Sequence, residues 1–303
     1  MLLLVSYLAV AGRVLFLALE RAAIKRLGAQ APPLATTLAF FTTATLSLVP
    51  VSGHALVDYV HRAPWLGQPA QVLGVGGALL AAVIAYTLAF TAYAASLSTG
   101  EISVVGPLAH VNALFLLVLA FWFHHEPLTA WRIMGTVMVV WGGIALGRRG
   151  RKRSRGGGRA QGGGGMAAIF MVAYAFLLSV GRITDKYATV TLDMPIGVYT
   201  FVTYSLVTIC LALICLAAGN LRYAVRLLRA RPKLSILAGT FTAYAFFFLV
   251  VAIQRLDLTV AEPLSGMAAL VSLWLGAAVF DERLEGKMAP SALIVLGSSL
   301  ILA

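Results

Sequence analysis

Ten stretches of the chain stay apolar for roughly the 20 residues that a helix needs to cross a hydrocarbon layer about 30 Å thick. From breaker to breaker they run over 2–24, 34–52, 72–96, 102–123, 129–147, 166–188, 195–218, 234–254, 258–280 and 286–303. A backbone exposed to lipid must satisfy its own hydrogen bonds, and outer-membrane strands would alternate every second residue instead of remaining apolar. The pattern therefore predicts ten transmembrane helices in an all-α, polytopic membrane protein. The first run begins at Leu2 with no basic stretch ahead of it and carries Arg13, so it reads as a retained span and not as a removable signal peptide.

Composition closes off the alternatives. Of 303 residues 60% are apolar and 11% charged, against about 25% charged in soluble chains. A water-soluble globule built from them would expose large apolar patches, and a disordered chain would carry far more charge. The two cysteines, Cys210 and Cys215, lie five residues apart in the seventh run and do not share a helix face. They are expected to pack as small apolar groups, not to pair.

The net charge of +12 is unevenly placed. Seven basic residues, Arg148, Arg149, Arg151, Lys152, Arg153, Arg155 and Arg159, follow the fifth run, and 17 of the 23 Lys and Arg residues fall in odd-numbered loops. By the positive-inside rule those loops face the cytoplasm, which puts both termini outside. Residues 148–165, rich in Arg and Gly, read as a mobile linker that divides the chain in half. The block has no aromatic residues for stacking on bases, so a nucleic-acid partner is not expected.

The halves on either side of the linker, 1–147 and 166–303, align. Val105-Gly106-Pro107-Leu108 stands opposite Ala261-Glu262-Pro263-Leu264 at an offset of 156 residues, which also pairs Phe90 with Phe246, Glu101 with Asp257 and Glu126 with Glu282. Earlier in each half, Arg21 and Lys25 match Arg182 and Lys186, with Pro33 and Pro195 following. Five spans per half is an odd number, so the second copy enters the membrane from the opposite side. Such inverted repeats suit alternating access.

The motif Phe123-His-His-Glu126-Pro-Leu-Thr129 followed by Gly135 and Gly142, and its partner Phe280-Asp-Glu282-Arg-Leu284 followed by Gly297, resemble the duplicated EamA-type domain of the drug/metabolite transporter superfamily. The Pro107-Leu108 and Pro263-Leu264 elements fit that domain as well. The resemblance implies a five-plus-five helix carrier for small metabolites in the inner membrane, often an exporter. Relatives are drawn with both termini in the cytoplasm, the reverse of what the charges here imply.

A charge near mid-bilayer costs about 2.5–3.5 kcal/mol on insertion scales, so each one asks for an explanation. Arg13 lies about 16 Å into the first span. It can pair with Glu20 on the same face, or offer its guanidinium fork to a substrate carboxylate or phosphate. Arg182, Asp185 and Lys186 crowd one turn near a membrane boundary, where Arg182 and Asp185 suit a solvated interfacial pair and Arg182 also suits a substrate. Glu262, directly before Pro263, can cap its helix, pair with Arg255, or bind and release a coupling proton. His110 can carry a proton too, or share an interhelical hydrogen bond, as can Asn112.

Glu126 and Glu282 are expected to cap or anchor the helix that follows each. Tyr86, Phe90, Tyr93, Tyr174 and Tyr244 fall in the third, sixth and eighth spans, which in the resembled family contribute to a central cavity; packing explains rings in helices equally well. Gly74, Gly76 and Gly77 are expected at close helix crossings.

No Gly-x4-Gly-Lys-Ser/Thr loop and no His-Glu-x-x-His occurs, so neither a cofactor nor a metal is expected, and the chain is not read as an enzyme. The expected function is secondary transport of a small organic metabolite, amino-acid-like or drug-like. Export and proton coupling through Glu262 or His110 are the finer expectations. A flippase subunit for a lipid-linked sugar is the alternative, and a homodimer stays open.

Overall fold

A computed structural model describes residues 2–27, 31–62, 69–99, 109–154, 164–280 and 288–302. Helices dominate and no strand occurs among these residues, as the unbroken apolar runs predict. The first half contributes α1 (Leu2–Leu27), α2 (Pro33–Arg62), α3 (Pro69–Thr99), a 3₁₀ turn at Ala109–Val111 leading into α4 (Asn112–His124), and α5 (Ala130–Ser154). The second contributes α6 (Gly164–Lys186) with a π-helical turn at Tyr187–Thr191, α7 (Ile196–Ala217), α8 (Leu221–Ala230) and α9 (Pro232–Ile253). It ends with α10 (Leu258–Ser265), α11 (Ala268–Phe280) and α12 (Met288–Leu302). Six of these helices are long and apolar enough to cross a membrane, and four shorter apolar ones accompany them, which makes this a multi-pass membrane protein.

Four features depart from the apolar pattern. α2 runs on to Arg62, ten residues past the expected end at 52, because the next strong breaker is Pro64. α5 continues through the basic block to Ser154 instead of ending at 147, since Arg and Lys are good helix formers and the glycine run starts only at Gly156. The ninth span is broken: Pro263 has no N–H, and Gly266 and Met267 close tighter bonds to the carbonyls of Pro263 (2.9 Å) and Leu264 (3.0 Å). Finally, α8 is a helix in a stretch expected to be only a loop.

Helix neighbours come in matched pairs. α1 packs along α9 as α6 packs along α3, α2 meets α9 as α7 meets α3, and α11 meets α1 as α4 meets α6. Two contacts join an element to its own counterpart: α2 with α7, and α5 with α12. Exchanging the halves leaves this set unchanged, which is the signature of a two-fold arrangement. At the α5–α12 contact the backbones touch, since a Cβ on Gly135 would lie 2.5 Å from the Gly297 carbonyl and one on Gly297 2.6 Å from the Gly135 carbonyl.

The glycines expected to mediate close crossings do not do so. Gly76 and Gly77 face open space, and a Cβ on Gly74 would meet only Leu192 at 3.5 Å. Tight approach falls instead at Gly135, Gly142, Gly239 and Gly297, which point toward other helices. Hydroxyls inside the spans largely satisfy themselves: those of Thr37, Thr42 and Thr45 each donate to the carbonyl four residues back. Both cysteines are free thiols.

Candidate functional site

Between the halves lies a cavity of about 110 Å³. α1 lines it with Arg13, Glu20 and Arg21, three polar residues that seven- and eight-residue spacing brings to one side of a helix. α6 adds Tyr174 and Arg182, α9 adds Thr242 and Phe246, and α10 adds Glu262, Pro263 and Ser265. The broken ladder at Pro263 and Gly266 lines this wall, so the one irregular stretch of the ninth span borders the void, where irregular backbone is tolerated in a membrane.

Arg182 organises the interior. Its Nη1 donates to Asp185 Oδ2 (3.2 Å) and to the Tyr86 hydroxyl (3.0 Å), and its Nε stands 3.8 Å from Glu262 Oε1. Asp185 in turn accepts from the hydroxyls of Tyr86 and of Tyr199, the latter at 2.6 Å. The rings of Tyr86 and Phe246 flank the guanidinium at 5.5 and 5.2 Å. Arg182 and Asp185 are thus buried, at 5% and 0% exposure, and the solvated interfacial pair suggested by their spacing does not exist. Helix α6 carries them into the bundle because it packs along both α3 and α4.

Glu262 is only half satisfied. Its Oε1 accepts from Asn112 Nδ2 at 3.0 Å, while the buried Oε2 has no hydrogen-bond partner. Its partner is not Arg255, which is exposed. Arg13, 6% exposed, likewise holds a buried Nε without a partner. Arg182 Nε has no hydrogen-bond partner either, so two cations and one anion with free valences face the same void.

One end of the bundle is closed by a second polar cluster. Glu126, in the loop between α4 and α5, accepts from the N–H of Leu258 (2.8 Å) and Thr259 (2.9 Å), the Thr259 hydroxyl (2.7 Å) and Lys186 Nζ (2.8 Å). Asp257 joins through Lys186 (3.7 Å) and Arg132 (2.7 Å). Glu126 therefore caps α10 in the other half and not the helix that follows it, as expected from sequence. The left-handed His125 (φ 53°) ends α4 and turns the chain into this loop. Burial pushes the Glu126 carboxyl up, but Lys186 and the N–H groups of Thr259 and Leu258 outweigh it and hold the group below the ordinary carboxylate value. Glu282, its repeat mate, lies outside the described residues.

Of the residues singled out in the sequence, Arg13, Phe90, Tyr174, Arg182 and Glu262 line the cavity. Tyr86 stands one layer deeper, on Asp185, and Tyr93 stacks on Tyr174 at 5.1 Å. Tyr244 is not in the cavity wall. It packs on Phe16 (5.9 Å), because Thr242 and Phe246, four residues apart, hold the cavity face of α9 and the residue midway points away. The His110 side chain lies outside the described residues. Glu20, Tyr199 and Tyr204 were missed as site residues; a tyrosine hydroxyl inside a span, near a lone aspartate, is the signal that would have found Tyr199. No group of three potential metal ligands occurs among the described residues.

Residues 4–147 match the EamA-like transporter family. No curated protein matches the chain. Among solved structures 28 chains match, and one crystal structure, 19% identical, covers 97% of this chain and 95% of its own with a TM-score of 0.69. At that identity the likeness concerns the fold.

Proposed function

We propose, from the premise that residues 4–147 belong to the EamA-like transporter family, that the chain is a secondary transporter moving a compact, amino-acid-like zwitterion by alternating access. The observation that carries this reading is that two atoms without a hydrogen-bond partner, Arg13 Nε and Glu262 Oε2, share one cavity, with the equally unpartnered Arg182 Nε held near Glu262 at 3.8 Å. A buried polar atom without a partner costs about 1–3 kcal/mol. A ligand that brings a carboxylate to Arg13 and an ammonium to Glu262 relieves both. The cavity, about 110 Å³, is smaller than the roughly 150 Å³ void that admits benzene, so the ligand is compact.

The matched helix contacts support two repeats, 1–147 and 166–303, related by a two-fold axis in the membrane plane. The Glu126 cluster shuts one end, and the cavity reaches exposed Arg21 toward the other. The excess of basic residues in the odd-numbered loops supports an Arg21 end that faces the cytoplasm, with the protein in the inner membrane. The conformation is then inward-open, loads from the cytoplasm, and serves export. A proton taken by Glu262 Oε2 removes the anion that holds Arg182 and the substrate ammonium, which couples substrate release to proton entry. Nothing favours a flippase for a lipid-linked sugar, whose head group exceeds this cavity.

Counterflow in proteoliposomes tests the reading. Labelled alanine is expected to exchange, and Arg13→Ala to abolish exchange in a protein that still folds. Exchange of nucleotide-sugar head groups alone, or full alanine exchange by Arg13→Ala, overturns it.

A further inference from the structure

The ten residues of α8 span about 15 Å, half of the hydrocarbon thickness, so this helix cannot cross the membrane. α7 ends at Ala217 and α9 begins at Pro232, which fixes α8 at the level where two spans reach water. Gly219, at φ +69°, makes the turn into it. Ala224 and Leu227 are buried against the bundle. On the opposite face Arg222, Arg226 and Arg229, spaced four and three residues apart, form one exposed stripe. Exposed Val225 and Tyr223 flank it, and Tyr223 lies under the Arg226 guanidinium at 6.0 Å.

The three arginines have no carboxylate partner among the described residues. No acidic residue occurs between Asp193 and Asp257, which stand at the far ends of α7 and α9. The neighbouring end of α1, which carries Arg21, Lys25 and Arg26, adds more positive charge, and Arg231 in the turn after α8 donates to the Arg26 carbonyl at 3.0 Å. Repetition does not explain the stripe, because in the first half the end of α2 carries Asp58 and a single Lys or Arg, Arg62, and residues 63–68 that lead to α3 carry no charge.

We infer that α8 is a docking surface for anionic lipid head groups. Its stripe lies beside the lipid-facing end of α7, where Leu213 and Leu216 are each 61% exposed. Guanidinium forks match lipid phosphates, and a tyrosine beside them suits the interfacial layer. The helix thereby anchors the connection between the second half's α7 and α9 to one leaflet. This inference does not depend on what the cavity carries.

The test uses the full-length protein in nanodiscs of phosphatidylcholine alone or mixed with phosphatidylglycerol. Hydrogen exchange is read over residues 221–230 and retained lipid by native mass spectrometry. Exchange is expected to slow in mixed discs, less so at high salt, and the protein to retain phosphatidylglycerol. Substituting Arg222→Gln, Arg226→Gln and Arg229→Gln together is expected to remove both effects, with affinity falling roughly five-fold per arginine. Should the triple variant not fold, Arg226→Gln alone carries the same comparison. Equal exchange in both discs, or undiminished phosphatidylglycerol on a folded variant, overturns the assignment. Slowing produced only by added soluble polyglutamate also overturns it and transfers the stripe to an acidic protein partner.

Discussion

Glu126 and Glu262 are buried carboxylates in the same bundle, at 3% and 7% exposure, yet their surroundings differ in kind. Glu126 accepts four hydrogen bonds and ties the first half to the start of α10 in the second. Glu262 accepts one and leaves an oxygen bare beside a cavity. A buried carboxylate with its lone pairs filled has only stability to contribute. One that folding leaves short of donors keeps the capacity to bind something else, at the expense of stability. In a carrier the first kind belongs at a closed end and the second at the substrate.

The hardest blow to this contrast is Glu126→Ala. It strands Lys186 and two backbone N–H groups, and is expected to cost about 3–5 kcal/mol, read as a lowered unfolding midpoint in detergent. Lys186→Met should cost less, about 1.5–3 kcal/mol, because Glu126 keeps its N–H donors. Glu262→Gln should change stability by under about 1 kcal/mol, since it keeps the shape and removes a charge that folding left poorly paired. In proteoliposomes the same variant is expected to lose the dependence of transport on a pH gradient. If it destabilises as much as Glu126→Ala, the two carboxylates do the same job and the contrast fails.

Acid gives the mildest perturbation. Because Glu126 is held below its ordinary value when folded, its contribution is complete above the ordinary carboxylate range and is lost as pH falls through the lower folded value. Unfolding midpoints measured against pH should therefore show an acid-side loss in the native protein that is weakened in Glu126→Gln. A loss that instead grows as pH rises would contradict the arrangement.

Much of the architecture was legible because apolar length is a local property. Each predicted span has a helix among the described residues, and the offset of 156 that pairs Glu126 with Glu282 is equally a property of the sequence. Helix ends were less legible: nothing in an apolar count registers that Arg148 to Ser154 can stay helical, or that Gly266 interrupts a run of apolar residues. α8 escaped for the same reason, as its arginines dilute an apolar average while its face to the bundle is purely hydrophobic. In the cavity, Arg13, Arg182 and Glu262 could be singled out because charge inside a span is expensive wherever it sits. Which aromatic rings join them depends on helix rotation, which placed Tyr174 in the wall and Tyr244 outside it.

The order of residues alone established a membrane-embedded, all-helical chain with a few charges that need partners, since burial in lipid penalises polar groups regardless of context. Partnership itself came from packing. Glu126 reaches across to α10, Asp185 meets Tyr86 and Tyr199, and the free atoms of Arg13 and Glu262 share one void only because helices far apart in the chain are brought side by side. Hydrogen bonds act over about 3 Å, and no spacing along a sequence specifies a distance that short between separate helices.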